Sequence, residues 1–185
     1  VDALAANDAP GSLDCGGSNI ADYLVVWSVN NSTAPSSAIY SATVDAGNGN
    51  AQGSPTTIAS EASVDGITAA VVAGGSGSST NFAVDWSQTG QIKSQLIDSN
   101  GATSGSVESI TTSGSNGQPQ IVRNGENYAI AWVETSGTAT LKLAHLSADL
   151  LTTSPAGGAT ISDANSPSQP QLAAIDDDHV ALLWQ

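Results

Sequence analysis

The chain has 185 residues, of which 39% are apolar and 11% charged, and its formal net charge is −14 from 17 acidic and 3 basic residues. This charge argues against nucleic-acid binding and against adsorption to anionic membranes, because both need a positive surface. The length suits one domain, and no run of about 18 apolar residues is present to span a bilayer. We therefore expect a single repeat domain over residues 1–185.

The residue usage predicts short strands joined by many turns. Glycine occurs 19 times and methionine is absent, while helix-favouring charged residues are scarce. Cys15 is the only cysteine, so no disulfide can form within the chain. The chain starts at Val1 without a basic-then-apolar leader, which suggests a processed or excised chain, and loss of a signal peptide would account for it. We expect it to be secreted or held at the cell surface.

Four tryptophans divide the chain into units of about 50 residues, a period typical of propeller blades with four strands each. They are Trp27, Trp86, Trp132 and Trp184. In chain order the units cover residues 8–60, 61–112, 113–164 and, as a half unit, 165–185. Residues 1–7 contain one short apolar run and could form a closing or exchanged strand.

Each unit is predicted to open with a hairpin whose second strand ends at its tryptophan. The clearest copy is Pro119–Trp132, in which an Asn124-Gly125 pair supplies the tight turn between the strands. The first strands are predicted at Leu13–Cys15, Ile67–Val72, Gln120–Val122 and Gln171–Ala173.

After each of the first three tryptophans, an alternating strand and a last short strand complete the unit. The alternating strands are predicted at Ile39–Asp45, Ile92–Asp98 and Leu141–Ser147. The last strands are predicted at Thr57–Ser60, Ser109–Thr112 and Thr160–Asp163.

These patterns predict an all-β, β-propeller-like fold with about four four-stranded antiparallel sheets, the last of which is incomplete within this chain. Thin sheets that are apolar on both faces must stack on one another, and we expect each tryptophan to lie between neighbouring sheets as a structural residue. The open edge of the half unit needs a partner strand. Residues 1–7, a second copy or another chain could supply it, or the sequence could be a piece of a longer array.

The repeat resembles the tandem tryptophan-containing repeats of secreted and surface bacterial proteins. The segments that carry the resemblance are Tyr23-Leu24-Val25-Val26-Trp27, Pro119–Trp132 and Ile92–Gly101. The resemblance implies an extracellular, propeller-like fold, and it implies no catalytic signature that these positions share.

Two acidic turns are candidate calcium sites. Asp98 and Asn100 stand as in the start of a calcium-binding loop, but the closing glutamate is missing. Asp176, Asp177 and Asp178 place three carboxylates in one turn, where they could bind a hard cation. The alternative for both is an ordinary turn in which the aspartate bonds its own backbone. We expect no other cofactor.

Three further features bear on function. Asn30 and Asn31 each begin a glycosylation sequon in a predicted polar loop. His145 and His179 lie in different units, which argues against one catalytic site. Asp85 precedes Trp86 inside a strand predicted to be buried, where a carboxylate is costly unless it is paired; it could face a central channel and bind a ligand.

These observations lead us to expect a non-catalytic extracellular module, structural or for recognition, that is not an enzyme. We expect it to associate with itself or another chain through the unfinished fourth unit and the N-terminal segment. A carbohydrate-binding, lectin-like propeller with a glycan partner is the first alternative. A glycoside hydrolase is the second; it requires two carboxylates across one pocket, and Asp85 is the only oddly placed candidate.

Overall fold

The structure, a computed structural model, describes residues 8–17, 22–31, 37–61, 64–72, 81–162 and 166–185. These residues form strands and turns and contain no helix, and hence none that could cross a membrane. The strands are β1 (Asp8–Gly17), β2 (Asp22–Asn31), β3 (Ser37–Asp45), β4 (Ala51–Glu61), β5 (Val64–Val72), β6 (Asn81–Gln88), β7 (Gln91–Ile97), β8 (Thr103–Ser109), β9 (Asn116–Asn124), β10 (Asn127–Glu134), β11 (Thr140–Leu146), β12 (Thr153–Ser162), β13 (Gln171–Ala174) and β14 (Val180–Leu183). The N-terminal segment 1–7 lies outside the described residues.

The strands form antiparallel sheets in which neighbours along the chain are neighbours in the sheet. Sheet 1 contains β1–β4, sheet 2 contains β5–β8 and sheet 3 contains β9–β12, while sheet 4 contains β13 and β14. The prediction of an all-β protein with several antiparallel sheets is confirmed.

Sheets 1, 2 and 3 stack through two apolar layers that share β6. Phe82, Val84 and Trp86 pack on sheet 1, together with Leu24 and other apolar side chains. Ala83, on the opposite face of β6, packs on Tyr128 and its neighbours in sheet 3. The alternation of a strand thus sends one set of residues to each layer.

The first strands of successive sheets lie next to one another. β5 contacts both β1 and β9, and β9 contacts β13. In each four-stranded sheet the fourth strand is therefore at the far edge, three strands away. Residues on β1, β5, β9 and β13 are brought together from distant parts of the sequence.

The tryptophans do not all lie between sheets as expected. Trp86 and Trp132 are fully buried in the two layers. Trp27 is half-buried and stacks on Tyr40, which pairs with it across β2 and β3, with ring centroids 5.8 Å apart. The prediction is wrong for Trp184, which does not lie between two sheets. Its side chain is 45% exposed, because β14 ends one residue earlier and no described sheet covers that side.

The fourth strands differ most from their predicted positions. β8 ends at Ser109, where the predicted strand begins, and β4 and β12 start well before the predicted segments. The sequence of β8 has no apolar alternation for a prediction to detect, because most of the strand is exposed on both faces and no face needs apolar residues. Ile110 still continues toward β7, since its N–H donates to the carbonyl of Ile92 at 2.9 Å.

The predicted hairpin turn is present one residue later than expected. Asn124 pairs with Asn127, so the two turn residues are Gly125 and Glu126, and Gly125 has φ +61°. The Asn124 side-chain amide donates to the carbonyl of Asp176 at 3.2 Å. This contact joins the first hairpin of sheet 3 to the equivalent turn of sheet 4.

Candidate functional site

Asp85 lies in the layer between sheets 2 and 3. It is on the same face of β6 as Ala83, which packs on sheet 3, and it has no exposed surface. Its Oδ1 accepts a short hydrogen bond from the hydroxyl of Ser94, the residue opposite on β7. Burial raises the pKa of Asp85 to about 7, although the Ser94 hydrogen bond works in the other direction. Burial therefore favours the protonated carboxyl over the carboxylate.

Tyr128 and Arg123 bring a phenol and a guanidinium to the same layer from sheet 3. Tyr128 is fully buried in the layer, and Arg123 is its partner across β9 and β10. Arg123 is on the same face of β9 as the buried Ile121. Burial raises the pKa of Tyr128, the charge of Asp85 raises it further, and the charge of Arg123 opposes both. The three side chains thus form one electrostatically coupled cluster, which we call the interlayer cluster.

Sequence reasoning identified Asp85 and missed its two neighbours. Tyr128 stood out only as a repeat position, and nothing in the spacing places it beside Asp85. Arg123 carries a signal that could have been used, since it is the only arginine in the chain and directly follows the apolar pair Ile121-Val122. The structure also corrects the expected channel position of Asp85, because a side chain with no exposed surface does not line an open channel.

The first calcium candidate is a turn held by its own backbone. The Oδ1 atom of Asp98 accepts hydrogen bonds from the N–H of Asn100 at 2.8 Å and of Ala102 at 2.9 Å. Gly101, with φ +81°, completes the turn, and its carbonyl accepts a bond from Ser41 of sheet 1 at 3.1 Å. The turn therefore has a structural role in holding sheet 2 against sheet 1.

The second calcium candidate is also organised by backbone donors. The Oδ1 atom of Asp176 accepts from the N–H of Asp178 at 2.9 Å and of His179 at 2.8 Å, and it lies 2.8 Å from the His179 ring Nδ1. The Asp178 N–H is the main cause that lowers the pKa of Asp176, and the bond with Asp176 raises that of His179. Within the described residues, no three His, Cys, Asp or Glu side chains, Asp177 included, are grouped to hold a metal.

The remaining candidates do not converge on one site. His145 is exposed on β11 of sheet 3 and His179 is exposed in the turn of sheet 4. Asn30 and Asn31 are the last residues of β2, where the sequence predicts a loop, and their side chains lie outside the described part of the chain. Cys15 lies on β1 opposite Val25, and its side chain is likewise not described.

A shallow groove runs between the outer strands of sheets 1 and 2. Its lining includes Ile58, Trp86, Lys93 and Val107 and contains no carboxylate. The Lys93 ammonium donates to the Ser109 hydroxyl at 2.7 Å. Hydrolysis of a glycosidic bond takes two carboxyl groups, so this groove does not provide the chemistry.

Neither a family model nor a curated protein matches this sequence. Solved structures do match it in fold. A GH43 endo-arabinanase from Bacillus licheniformis superposes with a TM-score of 0.55 and 19% identity, covering 95% of this chain and 72% of that one. A native arabinanase of Bacillus subtilis gives 0.52 and 17%, covering 89% and 64%. An exo-1,5-α-L-arabinanase from a bovine ruminal metagenomic library gives 0.53 and 12%, covering 93% and 67%.

These likenesses correct the functional expectation. The prediction of a non-catalytic, self-associating module, and of a protein that is not an enzyme, is contradicted because the matched structures are all arabinanases. The prediction failed for a physical reason. Stacked sheets assemble a site from side chains that are far apart in sequence, so the lack of a compact catalytic motif carries little information. The second alternative, a glycoside hydrolase, agrees better with the matched folds.

Proposed function

We propose that this chain forms part of a β-propeller glycoside hydrolase that cleaves an arabinan-like polysaccharide. The observation that carries the proposal is the likeness in fold, over 89–95% of the chain, to three solved arabinanases. In this proposal the stacked sheets are successive blades, repeats of one tryptophan-containing unit. β1, β5, β9 and β13 are then the innermost strands and surround the axis of the propeller.

The position of the innermost strands identifies which carboxylates to test. Glycosidases use a pair of carboxyl groups that flank the scissile bond, about 5–9.5 Å apart. The acidic residues on the described innermost strands are Asp8 and Asp14 on β1 and Asp65 on β5; β9 and β13 have none. β1 and β5 are neighbours, so these positions lie in one region of the fold. The side chains of Asp8, Asp14 and Asp65 lie outside the described part of the structure.

Strand register favours Asp14 and Asp65 as that pair. Asp14 pairs with Val26, the residue before Trp27, and Asp65 pairs with Ser87, the residue after Trp86. Asp14 is therefore one residue before the level of the tryptophan of its own sheet, and Asp65 is one residue after it. Asp8 pairs with Asn31, four residues beyond Trp27, which puts it toward the other end of the strand. We propose Asp14 and Asp65 as the acid–base pair.

The substrate class bears on location. A polysaccharide does not enter a cell intact, so we propose that the protein acts outside the cell. Its acidic surface suits a neutral polymer, because recognition of neutral sugars depends on hydrogen bonds and apolar contact rather than on attraction of opposite charges.

The direct test is release of reducing sugar from arabinan by the full protein and by Asp14→Asn and Asp65→Asn variants. Each variant should lose about 10²–10⁴-fold in kcat, the usual contribution of one acid–base group. Asp8→Asn is the matched control, because it makes the same change on the same strand away from the proposed pair, and its activity should stay within a few-fold of the wild type.

The outcomes separate the alternatives. Wild-type protein that neither cleaves nor binds arabinan would overturn the proposed function. Binding of arabinan without cleavage would instead favour the lectin-like alternative. Cleavage that survives both Asp14→Asn and Asp65→Asn would keep the enzyme class and reject this choice of residues.

A further inference from the structure

Three buried polar atoms of the interlayer cluster have no hydrogen-bond partner among the described residues. They are Oδ2 of Asp85, the hydroxyl oxygen of Tyr128 and Nε of Arg123. Leaving one such atom unpartnered in an apolar interior destabilises the fold, because the atom loses its hydrogen bonds to water and gains none in return. Folded proteins contain few of them, and those that occur need a physical explanation. Here three occur together, on side chains that two facing sheets direct into one layer.

The atoms interact without bonding one another directly. The charges of Asp85 and Arg123 both act on the pKa of Tyr128, so all three groups share one electrostatic environment. No direct hydrogen bond joins the three atoms. A water that bridges two polar groups is nearly as favourable in enthalpy as a direct hydrogen bond between them.

The chemistry of the three atoms suits a neutral ligand with both donors and acceptors. Arg123 Nε donates, Asp85 Oδ2 accepts when ionised, and the Tyr128 hydroxyl does either. The guanidinium and the ionised carboxylate carry opposite charges, so together they provide no net charge that would favour a cation or an anion. An apolar ligand would leave every polar atom unpartnered. Water has two protons to donate and two lone pairs to accept, and buried waters typically make about three such bonds.

We propose that Asp85, Tyr128 and Arg123 form an internal water-binding site that links sheet 2 to sheet 3. The site belongs to the packing of the two sheets and is separate from the carboxylates proposed for hydrolysis. Its presence or absence therefore leaves the proposed function unaffected.

A crystal structure of the wild-type protein tests the site without any variant. We expect a water within about 2.7–3.2 Å of Asp85 Oδ2 and of the Tyr128 hydroxyl, in a map that resolves other buried waters. A dry layer, or a direct Asp85–Tyr128 hydrogen bond, contradicts the proposal. So does a peak with the shorter contacts, about 2.0–2.6 Å, of a bound divalent cation.

A double-mutant cycle tests the link in solution. Residues that share one water should couple, so the loss of urea midpoint in the Asp85→Asn/Tyr128→Phe protein should be smaller than the sum of the two single losses. Asp45→Asn in sheet 1, combined with Tyr128→Phe, is the control pair and should be additive. Additivity in the test pair would contradict a shared ligand.

Discussion

The two layers that flank β6 differ in how they treat polar atoms. Toward sheet 1, β6 presents Phe82, Val84 and Trp86, and the buried polar groups on that side are bonded: Ser41 donates to Gly101, and Gln95 donates to Ser104 at 2.7 Å. The layer between sheets 2 and 3 also has an apolar cluster, but it contains the three unpartnered atoms of the interlayer cluster. β6 therefore belongs to two different layers. The layer toward sheet 1 is stabilised by apolar packing and by polar groups that are hydrogen-bonded, whereas the layer toward sheet 3 has a polar centre.

Two aspartates show the same contrast at the level of single groups. Asp176 is exposed and accepts several hydrogen bonds, so its pKa is lowered. Asp85 is buried with one partner, so its pKa is raised. The difference follows from the number of donors and from access to water, not from the residue type.

The largest effect should come from removing an indole from the apolar layer. Trp86→Ala should lower the free energy of unfolding by roughly 3–5 kcal/mol, because the fully buried side chain leaves a cavity between sheets 1 and 2. Urea denaturation measures the loss. Trp184→Ala is the control; its indole is 45% exposed, and the loss should be much smaller. Equal losses would mean that the layer does not depend on the buried indole.

The interlayer cluster should make the free energy of unfolding depend on pH, through Asp85. The pKa of Asp85 is raised from 3.8 to about 7 in the folded protein, so the folded state keeps a proton that the unfolded state releases. The contribution of Asp85 to the free energy of unfolding is fully present below about pH 4. It falls by about 1.4 kcal/mol per pH unit as the pH rises and levels off above about pH 7. The total loss is up to about 4 kcal/mol.

Urea denaturation between pH 4 and 8 tests this prediction. Asp85→Asn should flatten the pH dependence relative to the wild type, because asparagine does not titrate. An Asp85→Asn curve parallel to the wild type would show that Asp85 is not the titrating group.

A smaller effect is expected where the outer strand of sheet 3 covers an indole. Gly158 on β12 lies directly against the Trp132 ring, and an added Cβ would overlap it. Gly157 has nearly the same backbone, φ +76° against +73°, but faces open space. Gly158→Ala should therefore destabilise by about 1–3 kcal/mol more than Gly157→Ala, the usual cost of overpacking. Thermal unfolding of the two variants gives the difference, and equal midpoints would contradict the contact.

The sequence predicted β7, β9 and β11 better than the fourth strands of the sheets. The segments around Gln120, Ile92 and Leu141 became β9, β7 and β11, because apolar periodicity and turn residues are local properties of the chain. β8 and the early part of β12 were missed, since exposed strands rich in Ser, Thr and Gly resemble loops.

The candidate sites divide in the same way. Local sequence indicated that the Asp98 and Asp176 turns could be ordinary backbone-bonded turns, and the structure provides those bonds. The grouping of Asp85 with Tyr128 and Arg123 was not predicted, because the three side chains share a layer only through the stacking of two sheets. Whether a carboxylate is buried depends on that stacking, and so does its pKa.

By itself, the sequence determined that this chain forms antiparallel β-sheets, because strand alternation and turn chemistry act over a few neighbouring residues. Only the tertiary structure decided which side chains share a layer, which tryptophans are covered and that the fold resembles arabinanases at 12–19% identity. Those properties depend on contacts between residues about 40 or more positions apart, and many different sequences satisfy the same sheet-on-sheet packing.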